Sequence, residues 1–397
     1  MSGPFAGVRV VEIASVLSGP LAAALLAEQG ALVVKVEPPG TGDLLRWVGS
    51  ARGGVTGTFQ LANRGKRGVA IDLATPRGVE IVCRLAERSD VLIQNYRPGV
   101  AERLGFGWEQ LSARNPRLVY LSISGFGPKG PLAQGRAYDN VIQAQSGMNA
   151  AQRDPASGDA QPLRQLVCDK LTGWAGAQAV SAALYARERT GRGQHVELSM
   201  LDTAIAFLWP DVSAEHAFVG PDASRQPAPG SDASLLRLAD GFATATPFGD
   251  AEFEGLCRAL GLSEVAADPR FATTAARMQN VAALSALFRN ELALAARALT
   301  RAEFARALAA EDVPAGVVVG IGELAQDPQV VASGTLVETD HPRGGRMREA
   351  RPAPRFAATP ARAGGPAPGL GEHTDEVLAE LGLGAEIAEL RAEGVVA

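Results

Sequence analysis

Along the first 200 positions apolar residues come in short continuous runs, separated by stretches where they return every three or four residues. "VRVVEIA" (Val8–Ala14) predicts a strand, "GPLAAALLAEQG" a helix stopped by Gly30, and "LVVKVE" (Leu32–Glu37) a second strand. Such runs with a helix between them read as a βαβ unit, the start of a parallel sheet. The alternation continues through strands at "RGVAIDL", "DVLIQNY" and "RLVYLSISGFG" and helices at "RGVEIVCRLAERS", "AERLG" and "WEQLSARN". A long Ala/Gly-rich helix over Lys170–Arg189 then leads through "GRGQHVELSMLD" into a further strand. The expected fold class is α/β: a large domain built on an open, Rossmann-like parallel sheet, with its ligand crevice at the strand ends.

After residue 203 the pattern changes. "GPDASRQPAPGSDAS" (Gly220–Ser234) is polar and rich in Pro and Gly, as linkers and loops are. "LLRLADGFATATPF" predicts a hairpin turning at Ala239-Asp240-Gly241, and "AEFEGLCRALG", "NVAALSALFRNELALAA" and "TRAEFARALAAED" predict helices. These make a smaller α+β domain. The division expected is 1–200 for the large domain, 201–225 for a linker, 226–320 for the small domain and 321–397 for a segment that returns to complete the large one. A chain of 397 residues fits two cores better than one.

Composition narrows the function. Lys and Arg number 38 against 43 Asp and Glu, a net charge of −5, so no global field draws nucleic acid or an anionic membrane. Any anion site must be a local basic pocket. Three scattered cysteines (Cys83, Cys168, Cys257) form neither a disulfide framework nor a zinc spacing, which fits a reducing cytoplasm. Four histidines without a close pair argue against a metal site. The apolar run at 16–27 is too short to span a bilayer and is flanked by Glu12 and Glu28.

The candidate chemistry lies in loops that follow strands. "ASVLSGP" lacks the glycine fingerprints of dinucleotide and P-loop sites, although Ser15, Ser18 and Gly19 open a helix where an anion or carbonyl could sit. "NRGKR" and "NYRPGVAERLG" offer Lys66, Arg67, Arg97 and Arg103 to a phosphate, or are simply basic surface. "SISGFGPKGP" precedes Tyr138 and Asp139, whose plain reading is a half-buried aromatic and a helix cap. Asp169 stands at the head of the long helix. An Asp there reads first as its cap. A carboxylate kept ionised by a helix N-terminus is also a nucleophile toward an acyl group, and the residues alone leave both roles open.

Taken together, "GVRVVEIASVLSGPLAAALLAEQGALVVKVEPPGTGD", "NRGKRGVAIDL", "NYRPGVAERLGFGWEQL", "SISGFGPKGP", "AYDNVIQAQSG", "RTGRGQHVELSMLD" and "LGEHTDEVLAELG" resemble, in order and over nearly the whole chain, the family III CoA-transferases and the related α-methylacyl-CoA racemases. The resemblance implies that Asp169 is catalytic. It would attack an acyl-CoA thioester to give an acyl-aspartyl anhydride and then an enzyme–CoA thioester. It places Val16, Leu17, Ser18, Asn95, Tyr96, Arg97, Arg103, Leu104, Arg136 and Tyr138 around CoA and substrate. It implies acyl-CoA and a carboxylic acid as substrates, no permanently bound cofactor or metal, no nucleic-acid or membrane partner, and an interlocked homodimer. The Gly/Ala-rich helix behind Asp169 is expected to leave room for CoA.

Racemases carry a histidine base where Tyr138 stands. A phenol that ordinarily titrates near pH ~10 is a poor base at neutral pH, which favours transfer over racemisation. A non-catalytic acyl-CoA-binding protein is the other alternative, and the intact Asp169 argues against it. The chain departs from the family at Leu17, where a glutamine is expected. It also has Pro38 and Ala74 where some members use cations for the adenosine end, and "PAPGSDAS" where the formyl/oxalate branch has a glycine run. Asp250 falls near an acidic position of racemases and reads equally as a helix cap.

Overall fold

A computed structural model describes residues 3–154, 157–213, 216–220, 235–362 and 364–397. The expected loop at 227–234 lies outside the described residues. The chain divides into two units, Met1–Pro210 with Ser333–Ala397, and Asp211–Ala332.

The first unit is built on six strands: β1 (Arg9–Ile13), β2 (Leu32–Glu37), β3 (Arg67–Ala70), β4 (Val91–Gln94), β5 (Val119–Ser124) and β6 (His195–Ser199). All pair in parallel, in the order 3-2-1-4-5-6. That is the strand order of dinucleotide-binding sheets, although the loop after β1 lacks their glycine fingerprint. Alternate side chains of each strand enter separate cores, as a period of two requires. Val11, Ile13, Leu92 and Tyr120 pack on one face with helix α2 (Pro76–Glu87) and the helix Thr374–Glu380. Val10, Val33, Ile93 and Leu121 pack on the other with α1 (Ser18–Glu28), α4 (Val167–Thr190) and α5 (Met200–Leu208). Covering on both faces explains why the strands read as continuous apolar runs.

α2 starts one residue before its predicted run: Thr75 accepts from the Gly78 amide and Pro76 fills the first turn. α4 carries glycines for a different reason than expected. A Cβ on Gly173 would meet the Leu21 side chain at 3.0 Å, and one on Gly176 would meet Leu121 at 3.2 Å and Ala22 at 3.3 Å. These glycines let α4 lie close against α1 and the sheet, so they serve helix packing rather than room for CoA.

The second unit has its own core around Phe253, Leu256, Phe304 and Leu308. Leu236–Arg237 and Phe242–Ala245 form the predicted hairpin, and Ala315–Val317 adds a third antiparallel strand. Asp250 does not cap its own helix, which Gly249 precedes. Its carboxylate instead accepts from Thr274 and pairs with Arg277 at 2.9 Å. Among the described residues no helix is long and apolar enough to cross a membrane, and no cluster of His, Cys, Asp and Glu could hold a metal ion.

Candidate active site

In an open parallel sheet the crevice forms where neighbouring strands send their connections to opposite faces, here between β1 and β4. A cavity of ≈ 300 Å³ lies there. The loop after β1 contributes Ser15, Val16 and Ser18, and the loop after β4 contributes Asn95, Tyr96, Arg97 and Pro98. Ile123, Ser124 and Gly125 come from the end of β5, Met200 from the start of α5, and Arg136 and Tyr138 from the segment before α3 (Asp139–Gln145). Asp169 enters from the first turn of α4. The loops are tied together: Asn95 Oδ1 accepts the Ser15 amide at 3.0 Å, and Asn95 Nδ2 donates to the Ser15 carbonyl at 2.8 Å.

Asp169 is not the cap of its helix. The N-cap is Leu166, which offers no side-chain bond, and Asp169 is the third helical residue. The cap comes from elsewhere, because Asp139 Oδ2 accepts the Asp169 amide at 2.9 Å. Asp139 is itself the first residue of α3 rather than its cap, and its other oxygen accepts from Gln143 Nε2 at 2.6 Å. Gln143 also bonds the Leu163 and Gln165 carbonyls and the Leu163 amide, fixing the chain just before α4. The Asp169 backbone is thus held by another carboxylate, and its own side chain is left for the cavity.

Asp169 is 6% exposed. Burial, and then the charge of Asp139, push its pKa up to about 6, while the backbone and hydroxyl donors of Ser18 act against the rise. The Ser18 amide belongs to the first turn of α1, whose N–H groups have no partner inside the helix. Two helix N-termini therefore meet at one buried carboxylate. Above pH ~7 the group is mostly ionised, poorly solvated and hence reactive. A reaction that needs this carboxylate as anion should lose rate as pH falls through about 6, tenfold per unit below it. Asp139→Asn removes the second charge and should move that limb to lower pH. Both shifts are read from kcat/KM–pH profiles, which report the free enzyme.

Of the residues singled out from sequence, Val16, Ser18, Asn95, Tyr96, Arg97, Arg136, Tyr138 and Asp169 line the one cavity. Leu17, Arg103 and Leu104 do not. Leu17 packs toward Leu45 and Phe59, Leu104 packs against the sheet core, and Arg103 is exposed. Tyr138 is 59% exposed rather than half-buried. Lys66 is no phosphate ligand: it is buried against Glu12 at 2.6 Å, and Arg67 pairs with Glu376 and Glu380. The Arg97 and Arg136 side chains have no ion pair or hydrogen bond among the described residues. Ser15, named with Ser18 from sequence, also lines the cavity, whereas sequence reasoning missed Ser124 and Met200 as wall residues. The signal was their position, at or just past the C-terminal end of a sheet strand.

Comparison with known proteins agrees with this architecture. A family profile described as CoA-transferase family III matches residues 5–374. The succinate–glutarate CoA-transferase of Agrobacterium fabrum is 35% identical over 390 residues, covering 95% of this chain and 96% of that protein. The acetyl-CoA:oxalate CoA-transferase of Acetobacter aceti is 37% identical over 361 residues, 88% of each. The crystal structure of a CAIB/BAIF family protein from Brucella suis superposes with a TM-score of 0.81 at 33% identity, covering 96% of this chain and 100% of that one.

Proposed function

The chain belongs to CoA-transferase family III, and on that premise we propose that it moves CoA from an acyl-CoA thioester to a carboxylic acid through covalent intermediates on Asp169. The observation that carries the reading is a buried carboxylate facing a cavity, its amide capped by Asp139 and its side chain met by the donors of Ser18.

An Asp169 oxygen attacks the thioester carbonyl, the C–S bond breaks, and CoA leaves as thiolate. The thiolate attacks the aspartyl carbonyl of the resulting anhydride, releasing the donor acid and leaving an aspartyl–CoA thioester. The acceptor carboxylate then attacks that carbonyl, and the same two steps run in reverse to free Asp169. The overall reaction exchanges one CoA thioester for another of similar activation, with no net proton uptake. The protein has to orient the carboxylate, donate to the developing oxyanion and keep water from the anhydride. The Ser18 amide suits the second task, and the burial of Asp169 suits the third.

Arg97 and Arg136, unpaired at the cavity, suit the CoA phosphates. Replacing either with Gln should raise the KM for acyl-CoA about tenfold with little change in kcat, an effect that shrinks in salt. The relatives' names point to small dicarboxylates as acids, whereas the apolar walls from Val16, Ile123 and Met200 also suit a medium or branched acyl group. The identifying experiment is a transfer screen of succinyl-, glutaryl-, acetyl- and formyl-CoA against succinate, glutarate, oxalate and branched acids. Proton exchange at the α-carbon in D₂O without an acceptor acid would instead favour the racemase reading. The exposed Trp47, Tyr185 and Phe207 of the first unit are surface that a second copy would cover in an interlocked homodimer. Sedimentation at twice the chain mass supports that arrangement, and sedimentation at the chain mass removes it.

A further inference from the structure

The loop between β1 and α1 is gripped by charges that the transfer chemistry does not use. Glu12, Lys35, Asp43 and Lys66 are each 3% exposed or less. Lys35 Nζ lies 2.8 Å from Glu12 Oε1 and 2.9 Å from Asp43 Oδ2, and Lys66 Nζ lies 2.6 Å from Glu12 Oε2. Two cations balance two anions, the condition for ionised groups to persist so far from water.

Bonds from this network reach the loop and its flanks. Lys35 Nζ donates to the Ala14 carbonyl at 2.8 Å and Lys66 Nζ to the Pro20 carbonyl at 2.8 Å. Asp43 Oδ1 accepts the Val16 amide at 3.1 Å and the Leu45 amide at 3.0 Å. Between these anchors Val16 has φ 67°, in the left-handed region that a β-branched residue avoids. Such strain persists only where the surroundings impose it, and it collects at functional sites. Here it falls two residues before Ser18, whose donors meet Asp169. A core that needed only stability would be served as well by apolar side chains of the same volume.

We infer that Asp43 is a positioning residue for acyl transfer: by accepting the Val16 amide it holds the loop in the left-handed turn that sets Ser18 against Asp169. The inference rests on Asp169 as the reacting carboxylate.

Two double variants test it. Both remove the Lys35–Asp43 pair together and leave Glu12 and Lys66 balanced. Lys35→Met with Asp43→Asn keeps an acceptor for the Val16 amide, whereas Lys35→Met with Asp43→Leu does not. Folding is followed by thermal melting, and initial rates use the best donor–acceptor pair of the screen above. The asparagine variant should keep kcat within about tenfold of wild type, and the leucine variant should fall at least about thirtyfold below it, with the KM for acyl-CoA within about threefold throughout. Equal kcat in the two, or a KM that rises in step with the loss, overturns the inference. Failure of either variant to fold also overturns it, since the network would then be structural alone. Hydroxylamine trapping on the wild type is read separately: absence of adduct there removes Asp169 as nucleophile whatever the Asp43 variants do.

Discussion

Asp169→Ala should lower kcat for CoA transfer roughly 10⁴-fold or more while leaving the dissociation constant for acyl-CoA within about threefold. The substitution deletes the atom that forms the new bond. It leaves the α4 backbone in place, because the Asp139 carboxylate accepts the amide of residue 169, not its side chain. It also leaves Arg97, Arg136 and Asn95 lining the cavity. Binding by isothermal titration and turnover by CoA exchange separate the two effects. A proportional loss of both would mean that Asp169 shapes the pocket rather than reacts.

The second large effect is on stability and has the opposite sign. Asp169→Asn should make the protein more stable at pH 8. The folded-state pKa of about 6 lies above the ordinary 3.8, so ionising this group costs free energy in the folded chain. A group raised in this way contributes its stability fully below the unfolded pKa and loses it as pH rises through the folded value. The asparagine variant, which never ionises, should therefore match the wild type below pH ~4 and exceed it by about 3 kcal/mol above pH ~7. Thermal midpoints across that range should diverge by roughly 5 °C. Gain of stability with loss of activity is what a strained functional group produces.

The sheet was legible because its strands are buried on both faces and so read as unbroken apolar runs. Asp169 was legible as a residue at the head of a helix. Its partner was not, since Asp139 lies 30 positions away and is brought to the α4 amide by tertiary folding. A local reading of Asp before an apolar helix therefore gives the wrong cap. The charges under the first loop were visible only as single irregularities, a Glu in "VRVVEIA" and a Lys in "LVVKVE". A buried charge announces that it needs a partner, but strand periodicity cannot say which. Likewise Lys66 and Arg67 looked like Arg97 in sequence, and the burial of Lys66 and the ion pairs of Arg67 separate them. In sequence the glycines of α4 read as room for CoA, but a Cβ on them would meet Leu21, Ala22 and Leu121.

The most direct test of the account is to trap the acyl enzyme. Wild-type protein turning over an acyl-CoA is quenched with hydroxylamine, digested, and mapped by mass spectrometry. The account predicts a hydroxamate on Asp169, dependent on acyl-CoA and absent from the Asp139 peptide. Continued transfer with Asp169 unmodified under the same quench would contradict it.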